Sequence, residues 1–358
     1  MWGSPSVRLG RPRFAVRSVL ESDVASTPPP GPWRLAWRRL RRDRVALWSG
    51  VLLIFLLCAL FIGAPLAATL LGHGPDVPNF DAVIQPTQNP VGLFARVPQT
   101  ANPAKHTIYL LGGDGPLGRD EFLRVLYGGQ VSLEIGFGAA LIAVMIGGLL
   151  GAIGGFFGGL ADAVISRLTD LVMAVPLILV LIVLGSTVGD SFVGITLGGL
   201  VQPGVVGLTV LIGAFTWFYP ARIARSQAIA LRHREFVEAA TMVGASRWRI
   251  LRHHIVPHLI PPLVAYGTLL VAANIIVEAG ASFLGFGIKL PTASWGSMLS
   301  VAWDAGSSGG ANGGIPLSVP SGLRLTLVPS GAIFLAVLAL NQFGEGLREA
   351  FDPRGGTR

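Results

Sequence analysis

Charge is scarce in this sequence. Asp, Glu, Lys and Arg make up 13% of its 358 residues, about half the share of an ordinary soluble domain. With a mean hydropathy of +0.63, the chain has little material for a solvated surface, which points to a membrane protein. Cysteine is almost missing. Cys58, the sole one, sits in an apolar run. No disulfide can form within one chain, so no stapled domain is expected, and Cys58 reads as a small buried or lipid-facing hydrophobe. Enzyme motifs are missing too: there is no P-loop, no HExxH and no CxxC. Covalent chemistry is therefore expected from a partner or not at all, and no catalytic residue, bound metal or bound cofactor is expected of this chain. A cleavable leader is not visible. The first apolar run begins near Ala46 and is long enough to remain as an anchor.

What is present is a set of long apolar runs. Six spans can be placed, at about 46–70, 131–157, 168–187, 192–219, 263–285 and 324–343, each long enough to cross roughly 30 Å of hydrocarbon. The expected fold is therefore all-α and polytopic. The third and fourth spans are expected to form a hairpin around Val188–Ser191, and the fourth to be kinked or broken at Gln202-Pro203-Gly204. Residues 1–32, with Pro28-Pro29-Pro30, read as a disordered N-terminal tail. Trp33, Trp37 and Leu40 fall on one helical stripe ringed by arginines, which predicts an interfacial helix leading into the first span, together 33–70. An extracytoplasmic loop covers 71–130, a core 131–343, and a C-terminal tail 344–358. The Gly/Ser-rich stretch 304–323 has no assigned role.

Charge placement gives orientation. With the N-terminus in the cytoplasm, 21 Lys and Arg lie inside and 5 outside, with Arg324 at a boundary. Both termini are then cytoplasmic. The net charge of +8 is explained by this topology and by anionic lipid as a partner, so no nucleic-acid role is expected. In the second span Gly147, Gly151, Gly155 and Gly159 recur every four residues, with Gly154 and Gly158 as a second pair. Small residues at this spacing let two helix backbones approach closely.

The cytoplasmic loop 220–262 carries the most information. Glu235 to Val243 are good helix formers. Gly244 can take a positive φ and end that helix, and Ser246 can cap the next. Trp248, Ile250, Leu251 and Ile255 then form an apolar side, and Arg247, Arg249 and Arg252 a basic one. Pro257, Pro261 and Pro262 are expected to close the segment. A hinged amphipathic helix pair of this kind suits a groove on another protein.

The run Glu238-Ala239-Ala240, with Gly244 four residues on and Pro257 thirteen beyond that, resembles the EAA loop of ABC importer permeases. Further stretches resemble the peptide/nickel type of that family, C-type subunit. They are Gly112-Gly113-Asp114, Gly118-Arg119-Asp120 and Leu126-Tyr127-Gly128; Arg167 to Pro176; Glu278 to Gly287 with Trp295-Gly296; and Asn341 to Arg354. The family often has Thr, Ser and Arg where Gly113, Leu123 and Gln130 stand. The resemblance implies a type I ABC importer permease fold in the bacterial cytoplasmic (inner) membrane. It implies a homologous second permease, two cytoplasmic ATPase subunits carrying ATP and Mg, and an extracytoplasmic solute-binding protein. It places Glu235, Glu238, Ala239, Ala240, Gly244, Ala245, Ser246, Arg247 and Pro257 at the ATPase. Asn274, Glu278 and Phe283 are candidates for the translocation path or gate, and Arg119 and Asp120 for an entrance helix on the outer side. An ion-coupled secondary transporter needs buried ionisable groups in several spans, and Glu278 is essentially the one candidate; a membrane scaffold without transport is the third reading. Arg167 and Asp170, spaced i, i+3, read as a helix ion pair. His254 and His258 have a spacing that suits a metal, but His253 and the nearby arginines argue against one.

Overall fold

The computed structural model describes residues 32–84, 89–99, 102–192, 202–307 and 320–351. Nearly all of the expected disordered tail, and most of the Gly/Ser-rich stretch, lie outside the described residues.

A short helix α1 (Pro32–Leu40) precedes α2 (Arg44–Cys58), which runs through a π-helical turn, Ala59–Gly63, into α3 (Ala64–Leu71). Asp43 starts α2 by accepting the N–H groups of Val45 and Ala46, and Gly72 at φ 75° stops α3. The result is a 28-residue apolar span, roughly 42 Å long. Leu40 and Ala36 of α1 turn inward onto Ala46 and Ala350, beside Phe343 and Leu347, while Trp37 stays exposed under the Arg41 guanidinium. The stripe expected to meet lipid as one face is thus divided between protein and surface.

Among the described residues, six short strands follow as three antiparallel ribbons: β1 (Val83–Ile84) with β2 (Asn89–Pro90), β3 (Ala95–Gln99) with β4 (Asn102–Tyr109), and β5 (Gly113–Asp114) with β6 (Arg119–Asp120). The central span is α4 (Glu121–Phe157), and it starts directly at the last ribbon; Asp120 caps it through the N–H groups of Phe122 and Leu123. Between residue 71 and this start the described residues hold two single 3-10 turns, Phe80–Ala82 and Gly115–Leu117, and no longer helix.

Beyond Gly158 come α5 (Gly159–Ala174) and α6 (Leu177–Phe192), bent by 75° at Val175-Pro176. Pro176 cannot donate into the helix ladder, which accounts for the break. Because α6 runs to Phe192, the residues expected to turn, Val188–Ser191, are helical. Next are α7 (Val205–Thr216) and α8 (Phe218–Leu231), bent by 42°. Gln202–Gly204, where a kink or break was expected, is non-helical, with Gly204 at φ 83° just before α7; a further bend lies at Trp217, where Pro220 cannot donate to the Thr216 carbonyl. Two short helices, α9 (Glu235–Met242) and α10 (Arg247–Ile250), lead through a second π turn, Leu251–Ile255, into α11 (Val256–Phe283). Arg247–Phe283 therefore forms a single helix of 37 residues. Pro257, Pro261 and Pro262 lie within it and do not end it. The wider π turn sits just before Pro257, whose missing N–H breaks the regular ladder there. Then come α12 (Trp295–Ser307) and α13 (Pro320–Phe351); α13 continues well past residue 344, where the tail was expected to begin. Among the described residues, four helices are long and apolar enough to cross a membrane alone, and up to six spans result if each bent pair counts as one.

The bundle packs around α4. Leu133, Leu270, Ile275, Trp295 and Leu340 form one core; Ile135, Leu181, Leu208 and Ile212 a second; Ala152, Ala224, Ile250, Ile255 and Leu259 a third. Lipid is as apolar as leucine, so close backbone packing must hold the helices together. A β-carbon added at Gly147, Gly151 or Gly155 would lie 2.2, 2.2 or 2.4 Å from the carbonyl oxygens of Trp217, Ala221 and Arg225. The four-residue repeat is therefore the seam between α4 and α8. Gly159 lies beyond the helix end and touches nothing with its missing β-carbon, so it is not part of the seam. Gly151→Ala is expected to destabilise the detergent-solubilised protein by about 1–3 kcal/mol. Gly154→Ala, whose nearest neighbour is the Ile165 side chain at 3.3 Å, is expected to cost much less. Equal melting temperatures for the two variants would contradict the seam.

Candidate functional site

Three polar regions stand out against this apolar body. The first is the loop between α8 and α11. Gly244 takes φ 85°, and the Ala245 N–H reaches back to the Ala240 carbonyl at 3.1 Å. Ser246 caps α10 by accepting the Arg249 N–H at 3.4 Å. The helix–hinge–helix is thus present. Val237, Ile250, Leu251 and Ile255 hold it to the body. Glu235, Glu238, Ala239, Gly244, Ser246, Arg247 and Pro257 are exposed, and Ala240 and Ala245 half-buried. Trp248 is also exposed, with its ring stacked on Phe157, so the expected apolar side is only partly inward. Met242 and Val243, which sequence reasoning passed over, are 82% and 89% exposed at the tip. These two side chains form an exposed apolar tip on the loop. The rings of His254 and His258 both lie near Phe236, at 6.4 and 5.3 Å.

The arginines of α8 also reach sideways. Asp170 pairs with Arg222 of α8 at 2.9 Å, and Asp162 of α5 pairs with Arg225. The expected pair between Arg167 and Asp170 is replaced by this contact across helices. The Arg222 pair is half-exposed on both sides and contributes at most about 1 kcal/mol.

The second region lies inside the bundle. Glu278 is fully buried. It accepts the Ser132 hydroxyl of α4 at 2.8 Å and the Ser282 hydroxyl at 2.7 Å. These hydroxyls in turn accept the N–H groups of Trp295 at 3.3 Å and Ile288 at 3.0 Å. One carboxyl group therefore links α4, α11, the segment after α11 and the start of α12. A buried polar network satisfied in this way fixes a single arrangement. One turn below, Asn274 is also fully buried, and neither atom of its amide has a partner. Phe283 is different: it is exposed and meets Trp303 edge-on at 6.2 Å. The three candidate path residues thus do not share one surface. Ser282 could have been read from its i, i+4 spacing to Glu278; Ser132 comes from 146 residues away and could not.

The third region fastens the ribbons to the bundle. Arg119 meets Asp114 through Nε at 3.0 Å and Nη2 at 2.8 Å. Arg124 of α4 touches the same carboxylate at 2.8 Å, and Asp76 with its other arm. Asp120 accepts from the α4 N-terminus and lies 3.0 Å from His73, which stacks on Tyr109. Burial, then the nearby Asp120 carboxylate, push the Tyr109 phenol up to about 12, so it stays neutral at any physiological pH. Arg324, at the start of α13, donates to Glu121 at 2.8 Å and to the carbonyls of Gly113 and Val91 at 2.7 and 3.2 Å. Arg119 and Asp120 hold this clamp together, with Asp76, Arg124, Glu121 and Arg324 as the partners that sequence reasoning did not find.

A family profile described as the binding-protein-dependent transport system inner membrane component matches residues 143–355. A second, described as the N-terminal transmembrane domain of oligopeptide transport permease C, matches residues 31–90. Among curated proteins, a Brucella ovis protein named as a peptide permease is 36% identical over 339 residues, covering 95% of this chain and 96% of that one. The glutathione transport system permease protein of Pectobacterium atrosepticum is 31% identical over 323 residues, 90% and 91% of the two chains. The dipeptide transport system permease protein of Bacillus subtilis is 30% identical over 334 residues, 93% and 89%.

Proposed function

We propose, since the chain belongs to the family of binding-protein-dependent transport system inner membrane components, that it is the permease through which an ATP-driven importer passes short peptides or a related small solute. The peptide class is supported by the names of the relatives, which are peptide, glutathione and dipeptide permeases. In this reading a second, homologous permease completes the path. Two cytoplasmic ATPase subunits, which bind ATP and Mg, dock on the two permeases, and a solute-binding protein delivers cargo from outside. This chain hydrolyses nothing itself. Both termini and the α9 loop face the cytoplasm, supported by the excess of arginine on that side. The clamp and the ribbons face outward.

One observation carries the mechanism: α10, the π turn and α11 form an unbroken helix, Arg247–Phe283, about 55 Å long. A groove that grips α9, with Met242 and Val243 as its apolar tip, holds one end of a lever. The other end reaches the Glu278 network. ATP draws the ATPase subunits together, the gripped loops follow, and the lever carries the movement across the membrane. ATP must bind the two states with different affinity for this to do work.

The test is uptake by the purified complex, both permeases with their ATPase subunits, in proteoliposomes supplied with binding protein. Peptide accumulation that requires ATP and is unaffected by collapsing ion gradients is expected. Accumulation driven by an ion gradient without ATP overturns the reading in favour of a secondary transporter.

A further inference from the structure

Of the five Lys and Arg placed on the outer side, three are engaged. Arg119 and Arg124 are buried in the clamp, and Lys289 has a contact of its own. Arg96 and Lys105 are exposed and pair with nothing among the described residues. Both belong to the β3–β4 ribbon. One face of that ribbon is fixed. Val97 and Tyr109 are buried with Ala82. The Thr107 hydroxyl and the Gln99 amide donate to the Leu71 carbonyl at 3.1 and 3.2 Å, and the Asn79 amide donates to the Pro98 carbonyl at 2.7 Å. The opposite face is open. The register sets Arg96 across from Ile108 and Pro98 across from His106, and Arg96, His106 and Ile108 are all exposed. Side chains alternate along a strand, so these stand away from Val97 and Tyr109. Just before β3, Leu93 and Phe94 are 58% and 69% exposed. Phe94 takes φ 55°, a conformation that bulky residues rarely adopt. Strain of this kind persists only where the surroundings enforce it, and it gathers at binding sites. Asp81, exposed on the nearby turn Phe80–Ala82, pairs with neither cation.

An arginine among exposed aromatic and aliphatic side chains has the composition of a protein contact, and two unpaired cations select an acidic one. The family is binding-protein-dependent, and in the orientation given above this ribbon stands on the side from which such a protein comes. We infer that the open face of β3–β4 receives an acidic surface of the solute-binding protein. Arg96 and Lys105 meet its carboxylates, and Phe94 seats against an apolar patch beside them. This rests on the importer reading. The two charges steer the encounter and set its orientation, so they act on association more than on release. The ring, once covered, acts on release.

The probe is the purified solute-binding protein that supports uptake by the reconstituted complex, and its binding to that complex is measured in nanodiscs. Arg96→Glu combined with Lys105→Glu is expected to weaken binding about tenfold, mainly by slowing association, and to flatten its dependence on salt. Both positions are exposed, so assembly with the ATPase is expected to be normal. Phe94→Gly removes the ring and relieves the backbone at once. It is expected to weaken binding about fivefold without lowering the melting temperature of the complex. A lower melting temperature with unchanged affinity makes the ring a structural part and overturns its place in the contact. Wild-type affinity in the double charge reversal overturns the assignment alone, because uptake by the wild-type complex still stands. An effect of the reversal seen in nanodiscs of anionic lipid and lost in neutral ones gives the patch to lipid headgroups, and overturns the assignment too. A wild-type complex whose uptake no binding protein supports overturns the importer reading, and this one with it.

Discussion

Replacing Gly244 by valine is expected to lower ATP-dependent uptake to less than about a tenth of the wild-type rate while the chain reaches the membrane in normal amount. The cause is backbone conformation. Gly244 sits at φ 85°, where an L-residue pays roughly 1–2 kcal/mol and a β-branched one more. A steric clash is not involved, because nothing lies within 4 Å of the position a β-carbon would take. The strain must therefore be relieved by turning α9 relative to α10. That moves Met242, Val243 and the two glutamates away from any groove shaped for them. The body stays intact, since the hinge itself is exposed. Asparagine tolerates this region of backbone space better than alanine or valine, so uptake should fall in the order Gly, Asn, Ala, Val. Normal ATP-driven uptake by Gly244→Val would remove the hinge from the coupling mechanism.

The same hinge was legible in the sequence, because each of its parts acts over a few residues. Helix formers, a glycine and a serine cap declare themselves by local propensity. The apolar runs declared the spans for a similar reason, since a membrane demands some twenty apolar residues in a row. The prolines misled: by local rules Pro257, Pro261 and Pro262 break a helix, yet here the helix runs through them, with a π turn just before Pro257. The ribbons were invisible. Their strands are 2 to 8 residues long, and Pro98 and Pro103 fall in the longest pair, where local rules demote a strand. The clamp was hidden for another reason. Arg324 looked like a charge at a span boundary, and its partner Glu121 lies 203 residues earlier. Asp170 likewise preferred Arg222, 52 residues on, to its neighbour Arg167. The glycine repeat showed that a close approach exists, but only the fold names α8 as the partner and drops Gly159 from the seam.

Glu278→Leu is expected to lower uptake by about tenfold or more, with Glu278→Gln retaining most of it. A leucine is well tolerated by the bilayer, so insertion should not suffer. What it removes is the acceptor for the Ser132 and Ser282 hydroxyls. Each buried hydroxyl left without a partner costs about 1–3 kcal/mol. Both hydroxyls also hold backbone N–H groups beyond the membrane span, at Trp295 and Ile288. The segment between α11 and α12 should therefore loosen at the outer end of the lever. Glutamine keeps the shape, one acceptor and a donor that either hydroxyl can receive, so it should hold the segment in place. A direct reading of this comes from Ile288→Cys in a Cys58→Ser background. Ile288 is buried, at 4% exposure, and a cysteine there should resist a water-soluble maleimide applied from outside. Adding Glu278→Leu should expose it, and adding Glu278→Gln should not. If the leucine variant keeps both the uptake and the protection of the wild type, the Glu278 network is a bystander and the lever ends elsewhere. If the protection is lost but uptake persists, the network shapes the outer segment without controlling passage.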